Sequence, residues 1–273
     1  MSFLPSRPVI GIAHPGAMGA ALGAALKPVA GQVIWAEHGR SHATAKRAEL
    51  ADLAAVPDLA SLARRCDLVI SICPPHAAVD VAREVAAASD RCRYLDANAV
   101  SPDAVREIGA LFGEDRVTDG AIIGPPGWQR GSTVLWLSGR DADAVAGLFD
   151  DSPFVARVLG TDLGAASALK VCFGLQSKAI PAIWLEIAEA ARTFGVQDAL
   201  REELARDGVD LDGAVAAITR RAGTKAWRWA GEMDEAAVAV AALGLPDGFS
   251  RAAAQLYRAM GEPDPATRDS GRG

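Results

Sequence analysis

The chain has 273 residues, half of them hydrophobic and 23% charged. This composition belongs to a soluble globular protein, excludes a disordered chain, and suffices for one large domain or two of ordinary size. The net charge of −6 argues against general nucleic-acid binding, which needs a basic face. Cys66, Cys73, Cys92 and Cys172 are scattered without a CxxC pair or a Cys/His cluster. Neither a zinc site nor a disulfide framework is expected, and four buried thiols suit a reducing cytoplasm. The N-terminal stretch lacks the features of a signal peptide, and charges interrupt every apolar run well short of a membrane span.

The first half alternates short apolar runs with helical patterns. Pro8 to Ala13 reads as a buried strand, Ala17 to Leu26 as a helix opened by glycines, and Gln32 to Ala36 as a second strand. Ser41 caps the next helix, which runs through Leu50. A short strand near Leu53 to Val56 and a helix from Asp58 to Arg64 follow. Asp67 to Cys73 is a continuous apolar run closed by Pro74-Pro75, as expected of a strand buried on both faces. A helix over about Ala77 to Ala88 leads to a strand at Arg93 to Ala97. Ser101-Pro102 opens another helix, with proline just inside its start. Strands at Val117 to Ile123 and Thr133 to Ser138 precede a helix from Asp141 to Phe149. The pattern predicts a mostly parallel, doubly wound sheet covered on both faces.

From Thr161 onward only helical patterns remain. Asp162 to Thr193 is long, alanine-rich and nearly free of breakers. Shorter helices are predicted over Ala199–Asp207, Leu211–Arg221, Ala226–Leu243 and Ser250–Met260. The expected organisation is an α/β domain over 1–160, an all-α domain over 161–262, and a polar disordered tail over 263–273.

The first strand runs into His14-Pro15-Gly16-Ala17-Met18-Gly19. A dinucleotide fingerprint places G-x-G-x-x-G at such a strand-to-helix turn. Gly16 and Gly19 fill its second and third glycine positions, for backbone approach to the pyrophosphate and for helix packing, while His14 replaces the first. The helix N-terminus offers free N–H groups to phosphates. After the second strand comes Glu37-His38-Gly39-Arg40-Ser41. An acid there suits the ribose hydroxyls of NAD, whereas a guanidinium with a hydroxyl suits the 2′-phosphate of NADP. Arg40 and Ser41 favour NADP; Glu37 keeps NAD open.

The segment GIAHPGAMG resembles, without gaps, the GFIGLGxMG opening of the β-hydroxyacid dehydrogenase superfamily, which includes 3-hydroxyisobutyrate and 6-phosphogluconate dehydrogenases. Further likenesses are Gly39-Arg40-Ser41, Ile72-Cys73-Pro74-Pro75, Asp96-Ala97-Asn98-Ala99-Val100-Ser101-Pro102, Asp119-Gly120-Ala121-Ile122-Ile123-Gly124-Pro125-Pro126, and a helix carrying Gly164 and Lys170. In its second half the chain resembles a less characterised branch with a C-terminal domain like that of 6-phosphogluconate dehydrogenase, through Trp227–Met233 and Gly244–Phe249. The resemblance implies an NAD(P)-binding Rossmann domain followed by an all-α substrate and dimerisation domain, usually in a homodimer. The implied reaction is hydride exchange between the cofactor and a small hydroxyl or carbonyl substrate.

The same resemblance makes Lys170 the general acid/base. A lysine set among alanines and leucines loses hydration, which favours the neutral amine needed for proton transfer. It also places Cys73, Pro74 and Asn98 by the cofactor, and Ile123 and Gly124 by the substrate. Lys178, two helical turns beyond Lys170, is read as a further polar or anion-binding group. The chain departs from the family pattern at two substrate-side positions. Gly174 stands for an asparagine, and Ile123 for a serine that binds carboxylate in the family, with prolines next to it that cannot donate. These departures point away from a small 3-hydroxy carboxylate. Lys170 favours alcohol and carbonyl chemistry over that of the related imine reductases. An imine reductase-like enzyme and a non-catalytic NADP-binding sensor are the competing readings.

Overall fold

The structure is a computed structural model and describes residues 4–261; the tail expected to be disordered lies outside the described residues. The described chain forms two compact units that divide after Lys170.

The first unit is built on an eight-stranded sheet. Its strands are β1 Val9–Ile12, β2 Gln32–Ala36, β3 Ala54–Val56, β4 Leu68–Ser71, β5 Arg93–Asp96, β6 Val117–Ile123, β7 Thr133–Ser138 and β8 Phe154–Gly160, in the order β3-β2-β1-β4-β5-β6-β7-β8. All neighbours are parallel except β6 and β7. The intervening helices are α1 Ala17–Leu26, α2 His42–Leu50, α3 Leu59–Arg65, α4 Ala78–Ala88, α5 Pro102–Phe112 and α6 Ala142–Gly147. β8 was not expected from the sequence. Its burial falls away after Phe154, so this edge strand carries arginine and glycine instead of an apolar run.

Both faces of the sheet are sealed, as the doubly wound pattern requires. One cluster joins Ile10, Ile12 and Leu135 to Leu22 and Leu26 of α1 and Val145 of α6. The other joins Ile34, Val69 and Tyr94 to Leu62 of α3, Val85 of α4 and Ile108 of α5. Strand order reverses between β1 and β4, and in sheets of this kind ligands bind outside the carboxyl ends of the strands at that reversal.

Helix α7, Ala165–Gly174, contains the division between the units. The remainder is helical: a π-helical turn over Leu175–Ala179, then α8 Ile180–Phe194, α9 Gln197–Arg206, α10 Leu211–Ala222, α11 Ala226–Ala242 and α12 Gly248–Gly261. The single long helix expected over Asp162 to Thr193 is thus broken by the π turn. Pro181 has no N–H, and its ring would meet the carbonyl of Ser177 four residues back in an α-helix; widening the turn relieves the conflict. Tyr257 adds to this turn by donating its hydroxyl to the buried Lys178 carbonyl at 2.7 Å. The core of this unit gathers Ala182, Ile218, Met233, Ala253 and Tyr257.

Candidate functional site

The β1–α1 turn is where sequence and geometry meet most closely. Gly16 is the N-cap of α1 and makes no side-chain cap bond. A Cβ on Gly16 would meet nothing within 4 Å, whereas one on Gly19 would lie 2.1 Å from the His14 carbonyl oxygen. Gly16 therefore faces open space, and Gly19 permits close packing of turn on helix. Pro15 is buried, Ala17 exposed, and Met18 packs against the core.

His14 and Arg40 converge on this turn. Arg40 donates from a terminal nitrogen to the Ala13 carbonyl at 3.3 Å. The Arg40 Nε and the His14 Nδ1 are buried without a hydrogen-bond partner. Burial, reinforced by the Arg40 guanidinium, lowers the His14 pKa to about 4, so the imidazole is neutral near pH 7. Burial also lowers the pKa of Arg40. Unsatisfied buried polar atoms are rare in folded proteins. Two of them, one on the Arg40 guanidinium itself, beside an open helix N-terminus fit a phosphate-bearing ligand. Ser41 is exposed and caps α2, accepting from the Thr44 N–H at 3.2 Å and donating to its hydroxyl. Glu37 is exposed.

The carboxyl ends of β4 and β5 carry a closed polar network. Asn98 Oδ1 accepts from the Cys73 N–H at 2.5 Å, and its Nδ2 donates to Asp96 at 2.8 Å and to Ser71 at 3.1 Å. Asp96 also accepts from the Asn98 N–H at 3.0 Å. Burial pushes the Asp96 carboxyl up to about 7 and the Cys73 thiol up to about 12, so Cys73 is a neutral thiol. Pro74 opens the 3₁₀ turn that follows. Asn98 is therefore locked in place, joining the β4 end to the β5 end.

At the end of β6 the Lys170 amine donates to the Ile122 carbonyl. The geometry thus brings Lys170 to the strand that ends at Ile123, just before Gly124. Gly124 has φ +135°, and a Cβ there would strike the Ser132 carbonyl at 2.6 Å, so this turn needs glycine.

Lys178 lies in the helical unit, on the π turn. Its amine is 2.8 Å from Glu232, with both side chains only 10% exposed. Arg228 also approaches Glu232, at 3.3 Å, and Trp229 stacks edge-on against Tyr257. Trp227, two residues before Trp229 on the same helix, is exposed. Cys66, Cys73 and Cys92 are buried, but Cys172 is exposed, contrary to expectation: it lies on the solvent side of α7, while the neighbouring Gly174 is buried.

Asp96, Asp119, Ser138, Ser167 and Glu232 were not singled out from sequence. Carboxylates inside the apolar runs RYLDA and VTDGAII were the available signal for the first two. Among the described residues, no group of three or more His, Cys, Asp or Glu side chains could hold a metal ion, and no helix is long and apolar enough to cross a membrane.

Comparison with known proteins agrees with this architecture. A family described as a domain of unknown function (DUF1932) matches residues 191–260, within the helical unit. An uncharacterised 28.5 kDa protein in the 7S RNA 5′ region of Methanothermus fervidus is 31% identical over 166 residues. That match covers 61% of this chain and 64% of the relative's length. The conserved protein MTH1747, of unknown function and itself similar in structure to 3-hydroxyacid dehydrogenases, superposes with a TM-score of 0.67 at 25% identity. That superposition covers 93% of this chain and all of that one. The Mycobacterium tuberculosis 3-hydroxyisobutyrate dehydrogenase with L-serine gives 0.68 at 18% identity, covering 93% of each chain.

The fold is therefore a Rossmann-type α/β unit followed by an all-α unit. More particularly, it is the two-part fold also found in MTH1747 and in the Mycobacterium tuberculosis 3-hydroxyisobutyrate dehydrogenase, as the motifs lead one to expect.

Proposed function

We propose that this chain is an NADP-dependent oxidoreductase that exchanges a hydride between the nicotinamide and a hydroxyl or carbonyl group of a small molecule, with Lys170 as general acid/base. The observation that carries the reading is the pairing of an open, partly orphaned phosphate cradle at the β1–α1 turn with an amine held at the end of β6. His14, Gly16 and the α1 N-terminus hold the pyrophosphate, Arg40 and Ser41 the adenosine phosphate, and Asn98 with Cys73 and Pro74 the nicotinamide side. The bound nicotinamide supplies or accepts the hydride. Lys170 gives the carbonyl oxygen its proton in reduction and takes it back in oxidation.

Ile123 stands where the resembled enzymes have a carboxylate-binding serine, so the substrate carries an apolar group beside its reacting carbon. Lys178, its charge balanced by Glu232, offers N–H donors on the helical unit without an unbalanced positive charge. The enzyme works as a homodimer. Ile180, Phe194, Leu243 and Phe249, all exposed in the single chain, support a buried subunit contact.

The test is calorimetric titration with NADPH and NADH. Tighter NADPH binding, weakened about tenfold or more by Arg40→Ala with NADH little changed, is expected for a lost charge-assisted phosphate contact. Tighter NADH binding reverses the cofactor assignment in favour of Glu37. Binding of neither at millimolar concentration refutes the oxidoreductase and leaves a non-enzymatic role. A carbonyl and cyclic-imine screen with the preferred cofactor then follows. Turnover of imines with little activity on ketones would favour the imine reductase-like reading.

A further inference from the structure

Register pairs Ser71 with Asp96, Asp96 with Asp119, and Asp119 with Ser138. Four polar residues thus form one row across β4 to β7, and all four are fully buried. Two carboxylates are costly there: burial raises the pKa of both, and unpaired burial of charge costs several kcal/mol, on the order of the estimates for isolated ions in proteins. Each acid is nonetheless retained in hydrogen bonds that reach out of the sheet. Asp96 holds the Asn98 loop. Asp119 holds the start of α7.

The mooring of α7 is unusual in its source. Helices ordinarily satisfy their first N–H groups from a residue just before the helix. Here the Ser167 N–H donates to Asp119 Oδ2 at 2.9 Å, and the Ser167 hydroxyl donates to Asp119 Oδ1 at 2.7 Å. The Ala166 N–H donates to the Ser138 hydroxyl at 3.0 Å, which itself donates to Asp119 Oδ2 at 3.1 Å. The side chains that cap α7 therefore come from β6 and β7. Lys170 follows Ser167 by three residues and Ala166 by four, so it lies on the same helix face. Its amine returns to the Ile122 carbonyl of the strand that carries Asp119. The helix is tied to β6 at its start and again through its lysine.

We propose that Asp119, through Ser138 and Ser167, is the positioning residue for the Lys170 amine. This inference rests on Lys170 being the general acid/base. The buried row across the strand ends then does two matched tasks: Asp96 sets Asn98 on the cofactor side, and Asp119 sets the amine on the substrate side. Placement of an acid/base within about 1 Å decides its rate contribution, which gives two buried acids a reason to persist in an apolar sheet.

The test reads lysine reactivity in the full chain. The protein is treated with limiting acetic anhydride between pH 7 and 10, and each lysine is quantified by peptide mass spectrometry, with Lys46 and Lys225 as internal standards. Ser167→Ala, the mildest variant, and Asp119→Asn are expected to raise Lys170 labelling relative to the standards by about threefold or more, as follows from losing one or two hydrogen bonds. Thermal midpoint should fall by only a few degrees in Ser167→Ala, the cost of one buried hydrogen bond. In a carbonyl-reduction assay that variant should lower kcat about tenfold and leave KM and NADPH affinity unchanged, as expected of a misplaced group that acts in the transition state. Unchanged Lys170 labelling in both variants, or a rise shared by every lysine, overturns the proposal. Because labelling reads geometry whatever Lys170 does in turnover, failure of the acid/base reading shows separately: Lys170→Ala would then keep its turnover.

Discussion

Gly16 and Gly19 stand three residues apart in one motif, yet the structure gives them opposite duties. Gly19 is a packing glycine, since any Cβ would collide with the His14 carbonyl. Gly16 has open space before it and φ −64°, a value any residue adopts. Its lack of a side chain serves no contact within the chain. Gly16→Ala should therefore fold with stability within about 1 kcal/mol of the parent, the usual cost of alanine in place of glycine at an N-cap. Its NADPH affinity should nevertheless fall by tenfold or more, because a methyl group would fill the approach of the phosphates. Calorimetry and urea denaturation on the same sample separate the two effects. Equal loss of stability and binding would mean that Gly16, too, is there for packing.

At the scale of elements, what was legible in the sequence followed from continuous apolar runs and from helix punctuation. DLVISIC has to be buried on both faces, and Ser101-Pro102 can only begin a helix, so β4 and α5 were found where they lie. β8 escaped because FVARVLG mixes arginine and glycine into an edge strand. The π turn escaped because alanine-rich helical periodicity is indifferent to one extra residue. That turn interrupts the 3.6-residue phase on which a shared face for Lys170 and Lys178 was counted. It also sets Lys178 against Glu232, a partner 54 positions away that no local pattern announces. Removing one member of a buried ion pair strands the other. Glu232→Gln is expected to destabilise the helical unit by about 3 kcal/mol, while Lys178→Met combined with Glu232→Leu should recover most of that loss. Urea denaturation followed by helical circular dichroism measures both. A single variant no worse than the double would show that the pair is not coupled.

Across the whole molecule, two buried groups with oppositely displaced protonation shape the response to pH. Asp96 is raised from 3.8 to about 7 by burial. Between those values the folded chain holds a proton that the unfolded chain has lost, so this group makes stability fall as pH rises. His14 is lowered from 6.5 to about 4 by burial and by Arg40. In that interval the unfolded chain holds the proton, so this group makes stability rise with pH and its benefit is lost on acidification. The windows overlap between pH 4 and 6.5, where the two slopes oppose each other. Each is at most about 1.4 kcal/mol per pH unit. Replacing one group should expose the other. Relative to the parent, Asp96→Asn should gain stability as pH rises from 4.5 to 6.5, and His14→Gln should lose it. Urea denaturation of the three proteins at pH 4.5, 5.5 and 6.5 makes the comparison, with every other titrating group common to all. If both variants shifted in the same direction, at least one of these groups would not be held in the protonation state that its burial implies. A shared gain would reassign His14, whereas a shared loss would reassign Asp96.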